Sequence, residues 1–192
     1  MVKRTVCYPT RGNMYNFNVI NLDDRPDRMK RVVSEYINSP INITRHPAVK
    51  NPVGFLGCAA SHKSVILQAM QRGDPYVIAV EDDCTLSPNV TLDNVLDVIQ
   101  TLESNMSGWQ IFNGGPTFWN KRNNLDALQG SVTNFSDDLI NINWGQTTHF
   151  MIYNSKVYED LIALFTEPTD HIDVLISENY EQTTYRFGYL YY

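Results

Sequence analysis

The stretch that decides the fold is YVIAVEDDC, residues 76–84. Its first five residues are apolar or aromatic, and three carboxylates, Glu81, Asp82 and Asp83, follow them directly. A strand that is apolar on both faces is typical of the centre of a parallel sheet covered by helices. Ligands bind at the carboxyl ends of the strands in such sheets, so we expect the three carboxylates to lie at a binding site.

Strand and helix patterns alternate along the rest of the chain. The predicted strands cover residues 16–22, 42–46, 76–80, 109–113, 147–153 and 184–192, and the predicted helices cover residues 25–37, 54–73, 91–102, 155–165 and 171–180. Strands that alternate with helices are typical of α/β proteins, with parallel pairing expected above all in the first half. We therefore predict an α/β fold with a mostly parallel central sheet flanked by helices.

Length and composition favour one globular domain. The chain has 192 residues, of which 43% are hydrophobic and 19% charged, enough for a single domain (residues 1–192) with a sizeable core. The sequence finishes in an aromatic strand pattern without a turn or cap, as a domain cut from a longer protein would.

Charge and cysteine content exclude several classes of protein. The net charge of −6 argues against a surface for nucleic acid or anionic membranes, because such a surface needs a basic patch. No apolar run reaches membrane-spanning length, and the N-terminus lacks the apolar core of a secretory signal. Cys7, Cys58 and Cys84 are too few and too scattered for a disulfide framework or a zinc cluster. These features favour a reducing, cytoplasmic location.

Three neighbouring carboxylates at a strand end suit a hard cation. Mg²⁺ and Mn²⁺ prefer oxygen ligands, and Mg²⁺ held by one or two carboxylates usually completes its shell with substrate phosphates. Glu81, Asp82 and Asp83 are therefore candidates for a metal–phosphate site. The alternative is an acidic turn in which Asp82 or Asp83 caps the local backbone.

Residues near the other strand ends suit an anionic ligand. Arg25 and Arg28 follow the first predicted strand, and guanidinium groups match phosphate oxygens. Small residues begin the second predicted helix, where the backbone can approach a ligand closely, and Ser61, His62 and Lys63 add donors there. The alternatives are a solvated helix start for Arg28 and tight helix packing for the small residues.

Motifs along the chain resemble, in order and spacing, those of the glycosyltransferase family 25 domain, the lipooligosaccharide and collagen galactosyltransferase group. They are VINLDDRPDR (19–28), GFLGCAASHKSVILQAM (54–70) and YVIAVEDDC (76–84), followed in the second half by HFMIYNSKVYEDLIALF (149–165) and PTDHIDVLI (168–176). The resemblance covers about residues 16–192. Small domains of this type also occur in large DNA viruses that glycosylate their own capsids, in which case the chain would act in the host cytoplasm.

The resemblance implies a nucleotide-sugar-binding fold of the GT-A type. It further implies an inverting transfer of a sugar from a nucleoside diphosphate sugar, with UDP favoured, to a hydroxyl of a glycan or glycoprotein, with Mn²⁺ or Mg²⁺ as cofactor. The implied nucleotide-sugar-binding residues are Asn21, Leu22, Arg25, Ala48, Gly57, Ser61, His62 and Asp82. Asp83 is the implied direct metal ligand, and Glu81 belongs to the same acidic element.

The chain departs from the family pattern in two places. A small-residue segment of the family's second half is replaced by TTHFMIY (147–153), which puts His149 where a small residue is expected. The family's basic tail and retention signal do not appear either, as in a truncated or viral relative.

Further candidates come from the second half of the chain. An inverting transfer needs a general base to take the acceptor's proton, and carboxylates already engaged by a metal cannot do so. We predict Asp173 as this base, with Asp170 second, although Asp170 could instead cap a helix and Asp173 could be a solvated helix residue. His149 and His171 are candidates to complete the metal shell, with a core or rim position as the alternative for His149.

The GGPTFWN segment (114–120) follows another predicted strand. Gly114 is a candidate for donor contact because it comes directly after the strand end. Trp119 and Trp144 could stack on a sugar ring, since sugars present an apolar face to aromatic side chains, but core or lid packing explains them nearly as well.

Two other functions compete with the transferase. One is a non-catalytic nucleotide-sugar-binding or glycan-binding domain, which would be expected to lose the carboxylate cluster. The other is a metal-dependent phosphohydrolase, for which four scattered histidines provide poorly for a two-metal site. The retained cluster favours the metal-dependent glycosyltransferase.

Overall fold

The computed structural model of the protein describes residues 15–116 and 132–186. Cys7, Trp119 and most of the predicted strand 184–192 lie outside these residues.

Strands and helices alternate through the described residues, as predicted. The strands are β1 (Tyr15–Asn21), β2 (Ile41–Pro47), β3 (Tyr76–Glu81), β4 (Ile111–Asn113), β5 (Thr133–Asn134), β6 (Leu139–Ile142), β7 (Phe150–Asn154) and β8 (Gln182–Tyr185). The helices are α1 (Pro26–Tyr36), α2 (Gly54–Arg72), α3 (Leu92–Ser104), α4 (Tyr158–Leu164) and α5 (Ile172–Asn179), with a short 3-10 helix at Ser155–Val157 before α4.

The strands form one eight-stranded mixed sheet in the order β2-β1-β3-β7-β4-β8-β6-β5. β1 pairs in parallel with β2 and β3, and β4 pairs in parallel with β8. The pairings β3–β7, β4–β7, β5–β6 and β6–β8 are antiparallel. The α/β class is confirmed, and so is the parallel pairing expected in the first half of the chain, but the sheet as a whole is mixed rather than mostly parallel. A strand covered on both faces needs apolar residues whatever the direction of its neighbours, so the sequence of β3 does not reveal that β7 runs antiparallel beside it.

Two hydrophobic cores lie on the two faces of the sheet. One contains Ile78 and Val80 of β3 together with apolar residues of α1 and α3. The other contains Val77 and Ala79 of β3 together with apolar residues of α2, α4 and α5. β3 is therefore buried on both faces, as its composition predicts.

Local signals in the sequence fix the ends of the helices around the site. Pro26 opens α1 just after β1, and α2 ends at Gly73, whose φ of 72° is the left-handed conformation that glycine adopts without strain. Because β1 and β3 are parallel and Ile20 is in register with Glu81, their carboxyl ends meet at the same edge of the sheet. This edge carries the candidate site.

Candidate functional site

A cleft of about 360 Å³ opens at the carboxyl ends of β1 and β3, beside the first turns of α2. It brings together most of the predicted binding and metal residues. Those that line it are Leu22, Ala48, Gly57, Ser61, His62, Glu81, Asp82 and Asp83. The cleft is also lined by Arg28, Cys58, Lys50 and Asn51, of which Lys50 and Asn51 were not among the candidates from the sequence.

Glu81 is the most connected side chain of the cleft. Its Oε1 accepts a hydrogen bond of 2.6 Å from the Thr148 hydroxyl and lies 3.4 Å from Nε2 of His62. Its Oε2 lies 3.4 Å from Nδ1 of His149. Burial by itself would raise the pKa of Glu81, but interactions with the nearby His149 and His62 and with the Thr148 hydroxyl outweigh burial and lower the pKa. Glu81 is therefore a carboxylate held in its charged form.

Asp83 and His149 form the outer part of the same cluster. The Nδ1 of His149 lies 3.6 Å from Oδ1 of Asp83, and Arg28 donates a 2.9 Å hydrogen bond to Oδ2 of Asp83. Interaction with Asp83, and then with Glu81, raises the pKa of His149 to about 10. Interaction with His149 in turn lowers the pKa of Asp83. In the absence of a cation, a proton on His149 thus compensates the two carboxylates.

The donor set of Glu81, Asp83 and His149 fits a divalent cation. One ligand atom from each residue lies within 4.8 Å of the others. Within the described part of the chain, Asp83 Oδ1 and His149 Nδ1 are buried and have no hydrogen-bond partner, so the cluster has ligand atoms to spare. Two carboxylate oxygens suit Mn²⁺ or Mg²⁺, and the imidazole nitrogen favours Mn²⁺, the transition metal of the two.

Asp82 differs from its two neighbours because its carboxylate is already engaged. It is buried, and it accepts hydrogen bonds of 2.7 Å from Asn21 and 2.7 Å from Arg28. Asn21 also accepts a 2.9 Å bond from Nε of Arg45 and donates one of 2.8 Å to the carbonyl of Arg25. Asn21 and Asp82 therefore tie the end of β1 to the end of β3, and Arg28 pairs with carboxylates rather than pointing free toward a phosphate.

Arg25 is placed away from the cleft. Its guanidinium pairs with Asp27 at 3.0 Å on the exposed start of α1.

Lys50 is the lining cation that remains open to solvent: its side chain is 76% exposed and pairs with the exposed Asp24 at 2.6 Å. An incoming anion can displace such a surface pair at little cost.

The small residues of α2 let a neighbouring loop approach the helix. A Cβ on Gly57 would lie 2.6 Å from the carbonyl oxygen of Val49, and the hydroxyl of Ser61 bridges the two segments. Ser61 accepts from the amide of Val49 at 2.8 Å and donates to the carbonyl of Gly57 at 2.7 Å. Ala48, one of the implied nucleotide-sugar-binding residues, precedes Val49 in this loop and lines the cleft.

His62 lies beneath the cleft and is fully buried. Its Nδ1 lies 2.9 Å from the hydroxyl of Tyr153, and its Nε2 faces Glu81. Cys58, one helical turn earlier, places its Sγ 3.9 Å from Oε1 of Glu81. His62 therefore contacts Glu81 directly, and Glu81 lies between His62 and the open part of the cleft.

Asp173 and Asp170 do not line the cleft. Asp173 accepts hydrogen bonds from the amides of Thr147 at 3.0 Å and Val174 at 2.9 Å. Thr147 has a φ of 82°, a strained conformation for a residue with a Cβ, and the hydrogen bond that its amide donates to Asp173 helps to hold it. Asp170 accepts from the amide of His171 at the exposed start of α5. Asp173 therefore anchors the segment that presents Thr148 and His149.

The remaining candidates lie in packing positions. The amide of Gly114 donates a 2.9 Å bond to the carbonyl of Phe150, and a Cβ on Gly114 would lie 2.7 Å from the Phe150 ring. His171 stacks near Phe55, with ring centres 5.3 Å apart, and Trp144 is half-buried. Trp119 lies outside the described residues.

Thr148, Tyr153 and Cys58 belong to the cluster although sequence reasoning assigned them no role. Thr148 precedes His149 and Tyr153 sits in an apolar strand, so neither stands out from its neighbours. The i, i+4 spacing of Cys58 and His62 on a predicted helix was a usable signal, because it puts both side chains on one face.

Comparisons with known proteins give structural similarity only. No protein-family model matches the sequence, and no curated protein sequence matches it. The fold is similar to that of a glycosyltransferase involved in the glycosylation of the major capsid of PBCV-1, with 10% identity over 82% of this chain and 69% of that chain and a TM-score of 0.48. It is also similar to that of apo UDP-glucose pyrophosphorylase, with 11% identity over 84% of this chain and 60% of that chain and a TM-score of 0.37. Among the described helices, none is both long and apolar enough to cross a membrane.

Proposed function

We propose that the chain is a metal-dependent inverting glycosyltransferase of the GT-A type, related to glycosyltransferase family 25. It would move a sugar from a nucleoside diphosphate sugar, with UDP favoured, to a hydroxyl of a glycan or glycoprotein. The observation that carries the proposal is the convergence of Glu81, Asp83 and His149 at the edge of a cleft formed by strand ends. The sequence motifs that resemble the family lie around this same edge.

The chain offers separate surfaces for the parts of a nucleotide sugar. Leu22 and Ala48 provide an apolar wall for the nucleoside. Gly57 lets the loop at Val49, which carries Ala48, pack closely against α2. Lys50 would exchange its surface partner for a phosphate oxygen. Arg28 would act indirectly, by holding Asp82 and Asp83 in place.

Glu81, Asp83 and His149 would hold Mn²⁺ or Mg²⁺. When bound, such a cation supplies Lewis-acid neutralisation of the leaving diphosphate. The residues around it fix its ligands: Thr148 orients Glu81, and Arg28 orients Asp83. His149 must give up its proton to serve as a ligand, so metal binding competes with protons at this position.

Asp173 remains our predicted general base, with Asp170 second. Both oxygens of Asp173 accept backbone hydrogen bonds, but a carboxylate oxygen keeps a second lone pair for an acceptor hydroxyl. The test is the ratio of donor binding to transfer: Asp173→Asn, which keeps one of the two acceptor oxygens, should lower transfer by a much larger factor than it weakens donor binding.

One observation favours the non-catalytic alternative, a nucleotide-sugar-binding domain. Neither predicted base lines the cleft in the described part of the chain. Incubation with UDP-sugars separates the readings, because a transferase slowly releases UDP by hydrolysis of its donor and a binding domain does not. Release of inorganic phosphate instead would point to the phosphohydrolase.

The site itself is tested by calorimetric titration with UDP- and GDP-sugars, with Mn²⁺ and with EDTA. Wild-type protein should bind one nucleotide class only when the metal is present. Asp83→Asn should weaken that binding at least about 10-fold, because a lost ligand costs no less than a lost outer-shell partner. Asp160→Asn is the matched control, since Asp160 is exposed on α4. If Asp83→Asn bound the nucleotide sugar as tightly as wild type in the presence of the metal, Asp83 would not be a metal ligand.

A further inference from the structure

A second group of ligand atoms lies on the inner side of Glu81. Cys58 Sγ, His62 Nε2 and a Glu81 oxygen lie within 4.8 Å of one another. The cluster shares Glu81 with the candidate Mn²⁺ or Mg²⁺ site, but Cys58 and His62 of α2 lie beside Oε1 of Glu81, whereas His149 lies beside Oε2. We propose that Cys58, His62 and Glu81 form a separate zinc-binding site at the floor of the cleft.

The distances suit zinc. Around a tetrahedral Zn²⁺, bonds of about 2.3 Å to sulfur and about 2.0 Å to nitrogen or oxygen place neighbouring S and O atoms about 3.5 Å apart and N and O atoms about 3.3 Å apart. The observed separations are 3.9 Å from Cys58 Sγ to Glu81 Oε1 and 3.4 Å from His62 Nε2 to the same oxygen. Movements of a few tenths of an ångström would bring these two separations to the tetrahedral values, and the third pair, Cys58 Sγ and His62 Nε2, lies within 4.8 Å.

The chemistry of the three ligands separates this site from the outer one. A thiolate and an imidazole prefer Zn²⁺ to Mg²⁺, which takes oxygen ligands. On binding, the thiol of Cys58 and Nε2 of His62 each release a proton to solvent, and the thiolate and the Glu81 carboxylate then balance the two charges of the ion. A neutral site suits a position next to the fully buried His62.

The surroundings already orient the ligands. The hydroxyl of Tyr153 lies 2.9 Å from Nδ1 of His62, so it can accept a hydrogen bond from Nδ1–H and leave Nε2 to bind the metal once its proton is lost. The hydroxyl of Thr148 donates 2.6 Å to Oε1 of Glu81 and lies 3.9 Å from Cys58 Sγ. Cys58 and His62 are one turn apart on α2, and helix geometry keeps them on one face.

Three protein ligands leave the fourth tetrahedral position empty for a ligand from the cleft. Cys58 and Glu81 are half-buried in the cleft wall and His62 lies beneath them, so water or an anionic oxygen would reach this position from the cleft side. The zinc site does not depend on the proposed transferase activity, since it is defined by ligand atoms alone.

The test uses Co²⁺ as a spectroscopic substitute for Zn²⁺. Wild-type protein should develop a thiolate-to-cobalt charge-transfer band that added Zn²⁺ abolishes. Cys58→Ala should lose the band and weaken zinc binding at least about 100-fold, while Cys84→Ala, which changes a core cysteine, should keep both. No band in the wild type, or a band that survives in Cys58→Ala, would overturn the proposal.

Two more variants separate this site from the outer one. Tyr153→Phe should keep the band but weaken zinc binding about 10-fold, because it removes only the outer-shell partner of His62. Asp83→Asn should keep the band, because Asp83 belongs to the outer site. Loss of the band in Asp83→Asn would contradict two separate sites, whereas failure of UDP-sugar binding with the band intact would count only against the transferase.

Discussion

At the scale of single residues, the site depends on contacts that bring distant parts of the chain within hydrogen-bond distance. Glu81 contacts Thr148 and His149, which lie far along the sequence. The strand-end position of Glu81, Asp82 and Asp83 made them candidates for a metal site, the family resemblance implied Asp83 as the direct ligand, and His149 was one of two histidines predicted as candidates to complete the shell. Sequence reasoning could not predict the role of Thr148, since a threonine in a strand carries no signal until its neighbour across the sheet is known.

Gly57 offers a test of the close contact between α2 and the loop at Val49. In Gly57→Ala the new Cβ would lie 2.6 Å from a backbone oxygen, so either the loop or the helix must move. We expect the free energy of unfolding to fall by about 1–3 kcal/mol, as for other overpacked sites, and donor binding to weaken. Urea denaturation and calorimetry measure the two effects.

The matched control for this substitution lies three residues earlier on the same helix. A Cβ on Gly54 would meet no atom within 4 Å, so Gly54→Ala should be neutral or slightly stabilising. Equal stability of the two variants would show that the close approach at Gly57 is not tight in solution.

At the scale of elements, the sequence predicted local structure well and strand neighbours poorly. α3 shows why the local part succeeded: Thr91 caps the helix in a reciprocal capping box with Asn94, and both residues are visible in the sequence. β5 and β6 were not predicted, because they are short and pair with each other and with β8, which is distant in the chain. β7 begins at Phe150 rather than at residue 147, because Thr147 has a positive φ, which is not the conformation of a strand. No pattern in the sequence predicts this conformation.

The capping box of α3 supports a prediction about stability. Thr91→Ala removes the hydroxyl that accepts from the amide of Asn94, and should lower the free energy of unfolding by about 0.5–2 kcal/mol. Thr101→Ala is the control within the same helix, because its hydroxyl only bonds back to the carbonyl of Asp97 and alanine has the higher helix propensity. Chemical denaturation should therefore rank Thr91→Ala clearly below Thr101→Ala, and the reverse order would show that the cap is frayed in solution.

At the scale of the whole molecule, the parallel strands β2, β1 and β3 lie on one side of the antiparallel β3–β7 contact, and the mixed remainder of the sheet lies on the other. β1 and β3 deliver Asn21 and the acidic residues to the cleft, and the segment before β7 delivers Thr148 and His149 to the same edge. Glu81 makes this connection through its amide as well, which donates a 2.8 Å bond to the carbonyl of His149. The candidate site therefore joins the two halves of the sheet, and its protonation should be linked to the stability of the whole fold.

The stability of the metal-free protein should fall as the pH rises above neutrality. Interactions with Asp83 and Glu81 raise the pKa of His149 to about 10. Burial by itself would lower the pKa of His62, but interactions with Cys58 and Glu81 outweigh burial and raise this pKa to about 9. Because both values lie above the ordinary 6.5, the folded state binds these protons more tightly than the unfolded state. The resulting stability is fully present below about pH 6.5 and is lost as the pH rises through about 9–10. Urea unfolding in EDTA at both ends of this window measures the loss, which should be smaller in His149→Gln than in wild type and unchanged in His171→Gln, a substitution at the exposed start of α5. An equal loss in wild type and His149→Gln would show that His149 carries no extra proton in the folded state.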